Sequence, residues 1–194
     1  MIAAIEGTLD LRGDNWAIIK VGGVGLQVHI PASTLSQLGA VGERVQLYTH
    51  FHLKEDNIAL YGFTSKQELD LFKMLIGVDG VGPKAALAML SAMSSGQLSL
   101  AIATGDTDLL TQVPGVGQKM ARRLVLELKE KLEGWRALAP VSPGAQLNAE
   151  VLAALKGLGY STAEAMSAIA TIPDSADLSL EDKIRLALQQ LGKR

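Results

Sequence analysis

Over most of residues 1–62 apolar and polar positions alternate with a period of two, the spacing of half-buried strands. WAIIKV at 16–21, VGLQVHI at 24–30, VQLYTHFHL at 45–53 and IALYG at 58–62 are rich in β-branched and aromatic residues. Gly, Pro, Asn and Asp bound them. The N-terminal IAAIEGTLDL adds a fifth strand, and PASTLSQL at 31–38 reads as a short helix opened by proline and hydroxyl residues. Five short strands and one small helix predict a five-stranded β-barrel of the OB type.

From Ser65 the period lengthens. KQELDLFKMLIGV sets Leu69, Phe72, Leu75 and Ile76 on one helical face, with Ser65 and Glu68 spaced as a capping box. Helical spacing continues through PKAALAMLSAM, LSLAIATG, DTDLLTQV and QKMARRLVLELKEKL. WRALAPVSPGAQLN then brings prolines, glycine and small residues, the composition of a linker. AEVLAALKGLG, TAEAMSAIAT and LEDKIRLALQQLG predict three closing helices. The chain is therefore expected to be a multidomain α+β protein. The expected parts are a barrel at 1–64, a helical domain at 65–141, a flexible linker at 142–147 and a three-helix bundle at 148–194.

The helical part repeats itself. Leu75, Val78, Gly80, Val81, Gly82, Lys84 and Ala86 recur 35 positions later as Leu110, Val113, Gly115, Val116, Gly117, Lys119 and Ala121. Seven residues in one order point to an internal duplication. In each copy a helical run enters Gly-Val-Gly and leaves as a second helix with a lysine near its start. Glycines permit positive φ and a close approach of backbone to ligand. The open N–H groups of a helix start, with its dipole, favour a phosphate oxygen. Such a site addresses no base edge and grips backbone without reading sequence. A lone Gly-x-Gly is equally well a tight interhelical turn; two matched copies, each with its lysine, favour phosphate. GGVG at 22–25 leads into alternating LQVHI and reads as a hairpin turn only.

Composition alters this picture modestly. The 194 residues are 48% hydrophobic and 4% aromatic, so the cores are aliphatic. There is no cysteine, which removes disulfides and thiolate metal sites and fits a reducing compartment. The start MIAAIEGTLD has neither the basic nor the apolar region of a signal peptide, and no apolar run is long enough for a bilayer. A cytoplasmic protein with no membrane partner is expected. A net charge of −2 argues weakly against nucleic acid. Charge acts locally, however, within about 10 Å at ordinary salt. Lys119, Arg122, Arg123, Lys129 and Lys131 face only Glu127 and Glu130 in the stretch after the second Gly-Val-Gly.

GVGPKAA and PGVGQKMARRL resemble tandem helix-hairpin-helix motifs. Together with VGGVGLQVHIP, THFHLKEDNIALYGF, KQELDLFKMLIGVDGVGPK and ALKGLGYSTAEA, they closely resemble the RuvA family across the whole chain. That resemblance implies an OB-fold domain, a tandem helix-hairpin-helix domain and a mobile three-helix, UBA-like domain. It implies a homotetramer, one or two per four-way (Holliday) junction, that holds the junction open and square. It implies the partners RuvB, a hexameric ATPase that drives branch migration in recombination and repair, and RuvC, a nuclease that resolves the product. Phosphate contacts carry over to Gly80, Gly82, Lys84, Gly115, Gly117, Lys119, Arg122 and Arg123. In LKEDN, at a strand-to-strand hairpin tip, Glu55 and Asp56 match the acidic pin at the tetramer centre. Their carboxylates repel phosphate and so discriminate against ordinary duplex.

His50 and His52 share a strand face opposite Phe51 and Leu53, with His29 on another strand. No third metal ligand is near in sequence, so a polar outer face is expected and no metal or other cofactor. Gly77 to Gly82 has P-loop spacing, but Pro83 precedes Lys84 and no Ser or Thr follows it, so ATP binding is not expected. Asp106 and Asp108 are the one carboxylate pair near the hairpins and read as helix caps rather than as the metal site of a helix-hairpin-helix nuclease. A single-strand-binding barrel would need aromatic platforms. The three Phe, three Tyr and two Trp stand mostly in apolar patterns. No catalytic residue is assigned, and the expectation is a non-catalytic scaffold.

The small C-terminal bundle carries Leu155, Leu158 and Tyr160 around LKGLGY, and Ile184, Leu188 and Leu191 on its last helix. So small a bundle cannot bury every apolar side chain. Leu155, Leu158, Tyr160, Leu188 and Leu191 are the expected partner patch, and by resemblance the partner is RuvB.

Overall fold

The computed structural model describes residues 2–54, 57–138, 143–172 and 178–192. Five strands appear where alternation predicts them: β1 (Ala4–Arg12), β2 (Trp16–Val21), β3 (Val24–His29), β4 (Arg44–Lys54) and β5 (Asn57–Phe63). They close into a barrel in the order β1-β2-β3-β5-β4, with β1 antiparallel to β4 and β3 parallel to β5. Helix α1 (Ala32–Gln37) lies between β3 and β4 in the chain. The arrangement is an OB-type barrel.

The alternation works as a sorting rule along β4. Val45, Leu47 and Thr49 are buried while Arg44, Gln46 and Tyr48 are exposed. Leu9, Ile19, Val28, Ile30 and Leu47, all fully buried, fill the interior. Gly62 on β5 belongs to that packing, since a Cβ there would stand 2.6 Å from the Val28 Cγ1. Toward the far end of β4 and β5 the sorting stops. The cross-strand pair Leu53 and Ile58 is exposed on both sides.

Helix α2 (Lys66–Ile76) starts at Ser65, whose hydroxyl accepts from the Glu68 amide at 3.1 Å. The reciprocal half of the expected capping box is not what Glu68 does. Its carboxylate is buried and accepts from Thr64 at 3.2 Å and from Ser33 and Thr34 at 3.5 Å. It therefore joins α2 to α1. Ser33 also donates to the Leu90 carbonyl and the Ala32 amide donates to Ser91. The barrel and the helices that follow form one compact unit, Met1–Lys129.

After α2 these are α3 (Pro83–Ala92), α4 (Ser95–Thr104), α5 (Thr107–Thr111) and the part of α6 (Gln118–Leu138) that runs to Lys129. Helix α4 begins earlier than its apolar spacing suggests, because Ser94 and Gln97 form a complete capping box. Asp106 caps α5, its Oδ1 accepting from the Leu109 amide at 3.0 Å. Among the described residues no single helix is long and apolar enough to cross a membrane.

The second unit, Glu130–Arg194, contains α7 (Pro143–Gly157), α8 (Thr162–Ala170) and α9 (Leu180–Leu191). Its core includes Val151, Leu152, Leu155, Ala165 and Ala187. The expected linker at 142–147 is corrected here: 143–147 are the first residues of α7, and 142 lies outside the described residues. Proline, which weighed toward a linker, is preorganised for the first helical position. Ala145, Gln146 and Leu147 then sustain the helix.

Candidate nucleic-acid interface

The duplicated phrase folds twice into the same backbone. In the first copy Val78 N–H donates to the Leu75 carbonyl at 3.1 Å and Val81 N–H to Val78 at 3.0 Å. In the second, Val113 donates to Leu110 at 3.3 Å and Val116 to Val113 at 3.0 Å. Gly80 and Gly115 sit at φ +84° and +88°. Only a residue without Cβ takes that conformation at little cost. Val78, Val81, Val113 and Val116 are all buried and anchor the two loops. Helix begins at matched points, Ala86 N–H bonding to Gly82 at 3.1 Å and Ala121 N–H to Gly117 at 3.0 Å.

The two glycines of each Gly-Val-Gly thus differ in role. Gly82 is an extended N-cap with φ −86° and ψ 167°. Neither Gly82 nor Gly117 has an atom within 4 Å of where a Cβ would stand. The second glycine is therefore not required by the fold; it leaves open space in front of a helix start. The first intrahelical bonds leave N–H groups of Gly82, Lys84 and Ala85, and of Gly117, Gln118, Lys119 and Met120, without intrahelical partners. Pro83 makes the first set one donor poorer.

Charge placement agrees with an anion site. Helices α2, α5, α8 and α9 carry Asp or Glu in the first turn, as the dipole favours. Helices α3 and α6 carry none there and have exposed Lys84 and Lys119 instead. Lysine at that position opposes the dipole unless an anion joins the group. Arg122 is exposed as well.

Arg123 has a partner within the chain. Its Nη1 donates to the Asp79 carboxylate at 2.6 Å and to the Asp79 carbonyl at 2.8 Å. It is held against the first hairpin rather than left open beside the second. Asp79, the first residue of DGVGPK, is the residue the sequence reading passes over. The available signal was an acid beside a loop read as phosphate-binding.

Glu55 and Asp56 lie outside the described residues; the strands they connect pair to the rung Lys54↔Asn57. The histidine face is not the polar outer surface that alternation suggests. Phe72 of α2 covers part of it, its ring centroid 5.6 Å from His50 and 5.1 Å from Tyr61. His29 and His52 flank Tyr61 at 5.5 and 6.2 Å. Burial, then the neighbouring His52 and Lys73, hold the His50 pKa below its usual 6.5. Among the described residues no group of three or more His, Asp or Glu is arranged to hold a metal ion.

In the second unit the expected patch divides. Leu155 is fully buried and is core, because the turn it begins closes over it: the Tyr160 amide donates to its carbonyl at 3.2 Å. Leu158 is 61% exposed. Tyr160, Leu188 and Leu191 are half-buried.

An OB barrel carrying a tandem helix-hairpin-helix unit, followed by a three-helix bundle, defines the class of protein. Family models agree along the chain: "RuvA N terminal domain" over residues 1–62, "SAM-like Helix-hairpin-helix tandem" over 72–130 and "RuvA, C-terminal domain" over 146–192. The chain belongs to the RuvA family. It is 43% identical to a protein of Dehalococcoides mccartyi over all of both chains, and 46% identical to one of Herpetosiphon aurantiacus over 99% of each. A Roseiflexus castenholzii protein is 44% identical over all of both chains. Each of these relatives is named "Holliday junction branch migration complex subunit RuvA".

Proposed function

We propose that this protein is the junction-binding subunit of a branch migration complex. It grips the phosphates of four-way DNA junctions through two hairpins and performs no chemistry of its own. The observation that carries this reading is the pair of matched loops, each presenting an open helix start, an unobstructed glycine and an exposed lysine. Gly80 and Gly115 shape the loops. Gly82 and Gly117 admit the phosphate, Lys84 and Lys119 neutralise it, and Arg122 extends the basic surface along α6.

The finer assignments rest on family membership. Four copies assemble around one junction, singly or as a pair of tetramers, with Glu55 and Asp56 at the centre repelling strands that would close the crossover. RuvB supplies ATP-driven movement and meets the second unit through Leu158, Tyr160, Leu188 and Leu191; buried Leu155 supports that surface from beneath. RuvC resolves the junction, and the complex works in the cytoplasm.

The test is anisotropy titration of a synthetic four-way junction against linear duplex of the same sequence, across a salt series. Lys84→Ala and Lys119→Ala are expected to weaken binding on every sequence. Each should lower the slope of log K against log salt by about 0.9 per lost phosphate contact. Wild-type affinity and slope in both variants, with folding intact, refute the phosphate grip.

A further inference from the structure

One contact between the hairpins does not come from the duplication. Arg123, on α6 beyond the second hairpin, reaches back to Asp79 in the first and bonds both its carboxylate and its main-chain carbonyl. Shifted by the 35-residue repeat, the position of Asp79 is filled by Pro114 and that of Arg123 by Ala88. Neither has a side chain able to form the bond, so the link exists once and breaks the symmetry of the repeat.

Asp79 is otherwise hard to account for. Its side chain is 89% exposed and precedes Gly80, in a loop that offers itself to phosphate. A free carboxylate there repels the ligand. Tied to Arg123 it has a different consequence, because the second bond ends on the main-chain carbonyl and so restrains the loop backbone itself.

We propose that Asp79 and Arg123 form a clamp that sets the spacing of the two phosphate-binding helix starts, so that both meet one DNA backbone together. The proposal rests on the hairpins being phosphate grips. Both residues are positioning residues; Arg123 acts through the first hairpin and not as a phosphate ligand. Two modest grips on one strand behave as linked sites, and their joint strength depends on how well their separation is held. A spacing held before binding also avoids ordering cost at the moment of binding. An exposed ion pair adds little to fold stability, so the effect belongs to DNA binding.

The experiment is junction binding by the full chain carrying Asp79→Ala, Arg123→Ala, both, or Arg123→Lys, over a salt series. Electrostatics alone predicts that Asp79→Ala binds tighter, because a negative charge near phosphate is gone. The clamp predicts weaker binding, by roughly three- to fivefold, with an unchanged salt slope since no phosphate contact is lost. Arg123→Ala, which removes the bond to the main-chain carbonyl as well, should weaken binding at least as much, also without a change in slope. The double variant should lose no more than Arg123→Ala alone, and Arg123→Lys should recover part of the loss. Asp79→Asn, which keeps the size of the side chain and a side-chain oxygen able to accept from Arg123, should weaken binding less and guards against misfolding of the alanine variant. Thermal midpoints should stay at the wild-type value. Equal or tighter binding by Asp79→Ala, a slope lowered by Arg123→Ala, or additive losses in the double variant overturns the clamp. Unaltered binding by Lys84→Ala and Lys119→Ala overturns the phosphate grip instead, so the two failures are distinct.

Discussion

Gly80 and Gly82 stand two residues apart and answer to different constraints. Gly80, like Gly115, is held at positive φ, where a Cβ is strained whatever the space around it. Gly82 and Gly117 have ordinary room for a Cβ. Gly80→Ala is therefore expected to cost about 1 kcal/mol or more of stability, read as a lowered thermal midpoint. Gly82→Ala should leave the midpoint near the wild-type value and weaken junction binding, because the methyl group stands where a phosphate would approach. Equal thermal losses in the two variants would contradict this division. The repeat itself is legible in sequence, but both glycines look alike there, since backbone dihedrals are not written in residue identity.

At the scale of elements, strand alternation and helical spacing predict where chain segments run, and caps at Ser65, Asp106 and Ser161 agree. What they miss is what each face meets. His50 stands on a strand face that alternation leaves to solvent, yet α2 brings Phe72 and Lys73 over it. Its lowered pKa comes first from burial and then from His52 and Lys73; the Tyr61 ring also borders it, with centroids 6.5 Å apart. The unfolded chain takes the proton more readily than the folded one. Stability from neutral His50 is thus fully present above pH 6.5 and lost as pH falls through the lowered folded value. The thermal midpoint should drop between about pH 7.5 and about pH 5.5, and drop less in His50→Phe. An equal drop in both would assign the effect to other groups.

Across the whole molecule, two compact units suit a division of labour between DNA and a second protein. A chain ending at residue 142 keeps the whole of the first unit. It is expected to bind four-way junctions at wild-type affinity and to fail in stimulating ATP-driven branch migration by RuvB. Tyr160→Ala in the full chain should give a milder form of that separation. Full stimulation by the shortened chain would remove the second unit from motor contact. The role proposed for Glu55 and Asp56 belongs to this scale too, since it requires several copies around one junction. Glu55→Gln with Asp56→Asn should raise duplex binding and narrow the preference for junctions in a competition assay, and an unchanged preference would make the tip an ordinary turn.

Periodicity, caps and the repeated Gly-Val-Gly determined by themselves the OB-type barrel, the paired hairpins and the closing three-helix bundle, and longer strings such as THFHLKEDNIALYGF carried the resemblance to the family. These features are local: a two- or 3.6-residue period or a seven-residue phrase is complete within a short window of chain. Tertiary structure alone decided that Glu68 joins α2 to α1 instead of completing its own cap. It also decided that Leu155 is core while Leu158 is exposed, and that Arg123 holds Asp79 across 44 residues of chain. Each depends on which distant side chain arrives within hydrogen-bond or packing range. That is set by how elements stack after they form, and a residue's own neighbours in sequence carry no record of it.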